Sequence, residues 1–410
     1  MKTKLVVILL GLIFFSGGCS HSIVPNPLPA DIVMTQKSLS LVSAGNSFTF
    51  NLLNKIPNSQ GHNVMVSPLS ISLAFSMALN GADGTTKSAI IEALGLKGLS
   101  VDEINQIYSD LITALKKADP NVVMNIANSI WIRKAYPVLE SFIAVNKTYF
   151  NARVQSLDFD QSALSTINGW VNENTNGKIP RILDQISANE IMFLINAIYF
   201  YGKWEVQFEK ANTQSGPFTP GSGSTANVPY MKIKENYGYT EQSGYRAMKM
   251  PYGRGKFGMV MLLPDIGKSA DQLMSQLDPT VWANLKSALA IKNKVDVWLP
   301  RFKFSWESDL NDILSSLGMT VAFSPNEANF SKINATDQLY ITKVKHKTYI
   351  DVNEEGTEAA AVTSIGIGVT SVGPSGAEFH ATRPFLFFIT EEDTGAILFA
   401  GKVENPLLEN

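Results

Sequence analysis

From Thr357 to Val369 every second residue is Thr or apolar: Thr357, Ala359, Ala361, Thr363, Ile365, Ile367 and Val369. The intervening Glu358, Ala360, Val362, Ser364, Gly366 and Gly368 suit a face turned to water. Alternation with a period of two is the pattern of a half-buried strand. Yet the first half of the run is Ala and Thr, weak material for holding a strand in place. The combination suits a loop that is exposed in one state and a strand in another. An Ala-rich surface strand or a linker would also fit these letters when the segment is read alone.

The rest of the composition supplies enough core for a large fold. The chain has 410 residues, 45% of them hydrophobic and only 17% charged, and a formal net charge of −2. No Pro/Ser/Gly-rich linker divides the middle and no period of 20–50 residues repeats, so one domain over residues 41–410 is expected despite the length. The near-neutral balance, without a Lys/Arg-rich block beyond Lys116-Lys117, argues against nucleic acid as a partner.

The first residues read as a targeting segment. Lys2 and Lys4 precede an apolar run from Leu5 to Phe15 that is too short to span a bilayer, which makes residues 1–18 a signal peptide. The run ends in Ser16-Gly17-Gly18-Cys19, similar to a bacterial lipoprotein box with Ser16 in place of the usual Leu. Cys19 would be acylated and become the mature N-terminus; an ordinary secretory cleavage near the same place is the alternative. Cys19 is the only cysteine, so an exported domain must hold together by packing without disulfides. Residues 19–40, with Pro25, Pro27 and Pro29, are expected to form an extended lipid-anchored tether. That places the protein at the cell envelope, on the outer membrane or cell surface, or, without the lipid, outside the cell.

Hydrophobic periodicity predicts helices over Leu69–Asn80, Thr85–Leu94, Val101–Lys117, Ile167–Asn174, Ala270–Leu277 and Ser308–Leu317, the last stopped by Gly318. Val122–Arg133 and Ile191–Tyr201 read as buried strands, and strands and turns dominate after Gly216. Helices first and strands later give an α+β chain around a large mixed sheet.

Catalytic chemistry is sparse. His21, His62, His346 and His380 form no pair with metal-ligand spacing, so no metal and no cofactor are expected. Gly373-Pro374-Ser375-Gly376 lacks the spacing and context of a nucleophile elbow. Gly253-Arg254-Gly255-Lys256-Phe257-Gly258 fits a dinucleotide fingerprint in letters, but a strand follows it where that motif needs a helix, so a hairpin is expected. On these grounds the chain is not expected to be an enzyme.

The stretch Glu354-Glu355-Gly356-Thr357-Glu358-Ala359-Ala360-Ala361 resembles the hinge of the serpins, and the likeness continues through the chain. Asn63-Val64-Met65-Val66-Ser67-Pro68-Leu69-Ser70-Ile71, Asn196 to Phe200 with Gly202-Lys203-Trp204, Leu299 to Phe304, and Arg383 to Phe388 with Gly401-Lys402-Val403 resemble family segments in the family's order. The resemblance runs from about Leu41 to Asn405. It implies a serpin fold with three β-sheets, eight or nine helices, a five-stranded main sheet and an exposed reactive loop over about residues 354–380.

It also implies a suicide-type inhibitor. A serine protease cuts the loop and forms an acyl-enzyme. The cut loop then enters the main sheet and traps the protease covalently before water can release it. The hinge residues Glu354, Gly356, Thr357, Glu358, Ala359, Ala360, Ala361, Val362 and Thr363 carry no bulky, charged or proline residue on the inward side, the inhibitory pattern. In the uncut chain the Thr357 side chain is expected to remain largely in water. Family spacing from Glu354 places the reactive bond at Thr370–Ser371, with Val369 and Val372 as alternatives. These small, uncharged residues suit elastase-like or subtilisin-like proteases first and papain-like enzymes second. By position, Ser67, Ser70, Asn196 and His346 match a polar cluster beneath the strands that must part. Trp204 matches the tryptophan at the breach, where Thr357 would enter. A monomer is expected, with the target protease and, through Cys19, the membrane as partners. A non-inhibitory serpin-fold lipoprotein, cleaved as a substrate, is the alternative.

Overall fold

The computed structural model describes residues 28–56, 61–357 and 376–409. Cys19, the loop from Glu358 to Ser375 and therefore the Thr370–Ser371 bond lie outside the described residues. The first half of the chain holds α1 (Gln36–Leu53), β1 (Val64–Val66), α2 (Pro68–Leu79), α3 (Gly84–Ala93), α4 (Val101–Leu115), β2 (Val122–Arg133), α5 (Glu140–Phe150), β3 (Arg153–Leu157) and α6 (Gln161–Asn174). Next come β4 (Met192–Lys203), β5 (Gln214–Phe218), β6 (Ala226–Gln242), β7 (Tyr245–Tyr252), β8 (Phe257–Pro264), α7 (Ala270–Ser275), α8 (Pro279–Ala288), β9 (Ala290–Pro300) and β10 (Phe302–Asp309). The chain closes with α9 (Asn311–Leu314), α10 (Thr320–Phe323), β11 (Lys345–Asn353), β12 (Gly356–Thr357), β13 (Glu378–His380), β14 (Phe385–Glu391) and β15 (Ile397–Val403).

Hydrogen bonding joins the strands into two sheets. The six-stranded sheet runs β10-β11-β12-β4-β2-β3. The nine-stranded one runs β1-β15-β14-β8-β7-β6-β9-β13, with β5 on β6. Three sheets were expected, and the nine-stranded one accounts for two of them. The long strand β6 pairs with β9 through Tyr230–Tyr239 and with β7 through Gly238–Gln242, so it belongs to both halves. Among the described residues the helices match the expected count: α9 and α10 are one helix interrupted by a π-turn at Gly318, whose φ is 104°. Gly318 was expected to stop the helix; it interrupts it instead, and the helix resumes at Thr320.

Local signals explain several elements. Ser67 caps α2, with Pro68 in the first turn, where its missing N–H is not needed. Ser100 and Glu103 form a reciprocal capping box on α4, the most amphipathic helix of the fold. Val122–Arg133 forms one strand with the expected bounds. The Gly253–Gly258 stretch is the turn between β7 and β8, with Tyr252 paired to Phe257 across it. The six-stranded sheet is covered on both faces. α2 and the nine-stranded sheet lie on one side, within the main core. On the other, α6 packs Ile167, Trp170 and Val171 over Trp131, Ile195 and Ala197.

The folded chain begins earlier than Leu41. Thr35 caps α1, the Ala30 N–H donates to the Ala118 carbonyl at 2.9 Å, and the Ile32 N–H donates to Asp393 at 2.8 Å. Asp31 adds an ion pair with Lys256. Residues 30–32 thus bond to the body, and α1 starts at Gln36, inside the stretch expected to be tether.

Candidate functional site: the hinge and the gap in the six-stranded sheet

Asn353 pairs with Gly356 across a two-residue hairpin whose tip is Glu354-Glu355. This turn folds the chain back against β11 and inserts β12 between β11 and β4. Thr357 lies opposite Val352 on one side and Gly202 on the other, and Gly356 lies opposite Asn353 and Lys203. Gly356 has no room for a side chain, because a Cβ would come within 2.1 Å of the Gly202 carbonyl oxygen. The expectation that Thr357 stands in water before cleavage is corrected: its relative exposure is 4%. The hairpin has already carried it into the sheet. An Arg at 357 would therefore disturb the uncut protein as well as the insertion step.

Charge and ring contacts fix this hairpin. Glu354 is buried and accepts from Arg301 Nε at 2.8 Å, from the Arg301 terminal nitrogen and from Thr213 Oγ1. Burial opposes ionisation of Glu354, but the Arg301 and Thr213 hydrogen bonds outweigh it and hold the carboxyl below the ordinary range. Glu355 pairs through Oε1 with Lys210 at 2.8 Å. Trp204 binds the hairpin twice, its backbone N–H donating to the Glu355 carbonyl at 2.9 Å and its indole N–H to the Asn353 carbonyl at 3.0 Å. The Phe208 N–H donates to the Glu354 carbonyl at 2.9 Å. Trp204 therefore does more than pack at the point of entry.

Below β12 no described strand stands between β4 and β11. Among the described residues β4 and β11 are joined only through β12, and between their lower halves lies a cavity of about 620 Å³. It is lined by Met192 to Ile198 of β4, Val344 to Thr348 around β11, and Ser67, Ser70 and Phe75 from beneath. The four residues expected beneath the parting strands all border it. The Ser67 N–H donates to His346 Nε2 at 3.0 Å and the Ser67 hydroxyl to the Leu398 carbonyl at 2.8 Å. The Ser70 N–H donates to Ser67 Oγ at 3.3 Å, and the Ser70 hydroxyl reaches the Asn196 carbonyl at 3.5 Å. The Asn196 side-chain amide donates to Asn128 Oδ1 at 2.8 Å, and its own Oδ1 is buried without a partner.

Sequence reasoning missed Arg301, Thr213, Lys210 and Tyr252. Each reaches the hinge from an element far away in the chain, and only the serpin-like setting of Arg301 after Leu299-Pro300 was a usable signal.

The family model for serpins, described as serine protease inhibitors, matches residues 43–406. The chain is 33% identical to Serpin B11 of Homo sapiens, covering 90% of this chain and 100% of that one. The crystal structure of the thermophilic serpin tengpin in the native state superposes with a TM-score of 0.83 at 33% identity, covering 92% of this chain and 96% of that one. Its latent state gives 0.79 at 32% identity, covering 92% and 100%. The chain belongs to the serpin family, whose members are in general protease inhibitors. The expectation of no enzyme, drawn from missing motifs, gives way to that positive assignment.

His346 supplies a test of the cluster. Burial lowers its pKa from 6.5 to about 4, consistent with a neutral ring accepting at Nε2 from Ser67. In the unfolded chain the ring binds a proton near pH 6.5, so stability is full above that pH and falls as pH drops toward 4. Between pH 7 and pH 4 the parent should lose roughly 3 kcal/mol more than His346→Gln in denaturant titrations. Parallel pH profiles would refute the buried neutral histidine.

Proposed function

We propose that this serpin inhibits elastase-like or subtilisin-like serine proteases, with papain-like cysteine proteases as second targets, by cleavage at Thr370–Ser371 and insertion of the cut loop. The observation that carries the reading is the pre-seated hinge above an open slot. β12 already has a strand's pairing on both sides, and the cavity below it lies between the two strands that a longer β12 would join.

The register of β12 says where the loop would go. Each further residue added to β12 steps one residue back along both β4 and β11. Ala359 would meet Phe200 and Ile350, Ala361 would meet Ile198 and Thr348, and Thr363 would meet Asn196 and His346. The two alanines are small enough to pass between large neighbours. A hydroxyl at 363 would arrive where Asn196 Oδ1 lacks a partner. Insertion would thus complete a backbone ladder and satisfy a buried acceptor together, and both favour the inserted state over the acyl-enzyme awaiting water.

Specificity rests on the residues around the bond. No Lys or Arg stands between Glu358 and Arg383, so a trypsin-like pocket finds no partner in the loop. Mixed with pancreatic elastase or subtilisin, the protein should give a band at the summed mass that survives denaturation, and trypsin should give none through this loop. The released C-terminal peptide should begin at Ser371 by mass spectrometry. A cleaved inhibitor without the covalent band would favour the substrate-like, non-inhibitory reading.

We further propose that lipid on Cys19 holds the domain at the cell envelope. The small residues Gly17 and Gly18 before the cysteine and the charged-then-apolar start support it. Cys19→Ser expressed in a bacterial host should move the protein from the detergent phase to the aqueous phase. Unchanged partition would remove the lipid from the account.

A further inference from the structure

We infer that Tyr252 is the positioning residue that seats the hinge before cleavage and sets the register in which the loop enters the sheet. The inference rests on the insertion mechanism proposed above and adds the residue that fixes where insertion starts.

Tyr252 belongs to neither strand that flanks the slot. It ends β7 in the other sheet and reaches the hinge from behind, where its hydroxyl forms a buried hydrogen bond with Thr357 Oγ1. The ring has no freedom to withdraw. It is fully buried, stacked on Trp204 with centroids 4.4 Å apart and planes at 11°, and set edge-on to Phe200 at 5.2 Å. A backbone bridge also joins Tyr252 to Trp204. The turn after it is held in place, with the Gly253 N–H donating to the Lys203 carbonyl at 2.8 Å and the Arg254 N–H donating to Asp119 at 2.6 Å. Burial pushes the phenol's pKa well above its ordinary value, so the hydroxyl keeps its proton.

The chemistry asks for a hydroxyl at residue 357. A strand of two residues gains little from its backbone pairing alone. Valine would fill nearly the same space as Thr357 but leave the Tyr252 hydroxyl buried without a partner, the expensive case for a polar group. Register is the second consequence. A slip by one residue would turn Glu358 inward and carry every alternate side chain to the wrong face. The Tyr252–Thr357 bond prevents that slip at the last described residue of β12. When the loop is cut, insertion extends a seated strand in a fixed phase instead of having to form one.

The test uses Tyr252→Phe, Thr357→Val, Thr357→Ser and the Tyr252→Phe/Thr357→Val pair in the full chain. Hydrogen exchange by mass spectrometry of the peptide spanning residues 350–357 reads the hinge without any protease. Loss of one hydrogen bond should speed exchange there about five- to tenfold in either single variant, and no further in the double, because both remove the same bond. Thr357→Ser should exchange like the parent. With elastase, the stoichiometry of inhibition should rise for Tyr252→Phe and stay near the parent value for Thr357→Ser. Unchanged hinge exchange in Tyr252→Phe, or additive effects in the double variant, would overturn the assignment. Because Tyr252→Phe could weaken the core, Thr357→Val, which keeps the volume of the side chain, provides the same reading independently. The exchange result stands even if the parent forms no covalent complex, so failure of the inhibitory reading and failure of this one are told apart.

Discussion

The gap between β4 and β11 governs this molecule. Among the described residues the two strands are bridged only at the top, by the two residues of β12, with a cavity below. Packed protein interiors do not keep such gaps without cause, since the lining loses contacts that a filled core would make. Here the flanking strands are supported from outside the gap. β4 pairs along its length with β2, from Val122–Gly202 to Ile132–Met192, and β11 pairs with β10 from Phe302–Val352 to Asp309–Lys345. Each is anchored on its far side, so the near sides can stay unpaired.

The polar groups around the gap fall into an upper and a lower set. At the top, Glu354 with Arg301 and Glu355 with Lys210 fix the tip of the hairpin, while Trp204 takes up two of its backbone carbonyls. These contacts hold the turn that leads into β12. At the bottom, Ser67 and His346 tie α2 to β11 through one hydrogen bond, and Asn196 keeps an unsatisfied oxygen on β4. Each set keeps one buried oxygen without a partner, Glu355 Oε2 at the top and Asn196 Oδ1 at the bottom, and the lower one lies on β4, where an arriving strand can pair with it.

Much of this could be read from the residues, and the rest depended on contacts no sequence pattern carries. Val122–Arg133 followed directly from its apolar, β-rich run, and the helix expected over Val101–Lys117 from its apolar period, two residues longer than the observed α4. Ser67, Ser70, Asn196 and His346 were placed at one site by family likeness, and all four border the cavity. α1 escaped because QKSLSLVSAGNSFTFNLL has only a weak apolar face, and α5 because ESFIAVNKTYF reads as easily as a strand. The exposure of Thr357 was misjudged for a definite reason. Alternation along the run fixes which face a residue takes, but not how many residues the Glu354-Glu355 turn has already drawn into the sheet. Tyr252 and Arg301 came from sequence separations of 105 and 53 residues, beyond the reach of any local pattern.

The central claim is that the sheet is waiting for a strand, and thermal unfolding after a single cut tests it most directly. Purified protein nicked once near Thr370 should melt at a higher temperature than the uncut chain. The inserted strand adds a full backbone ladder and buries Ile365, Ile367 and Val369, each contributing roughly 1.5–3 kcal/mol if fully buried. A nick that leaves the melting temperature unchanged or lower would show that the gap between β4 and β11 does not accept the loop.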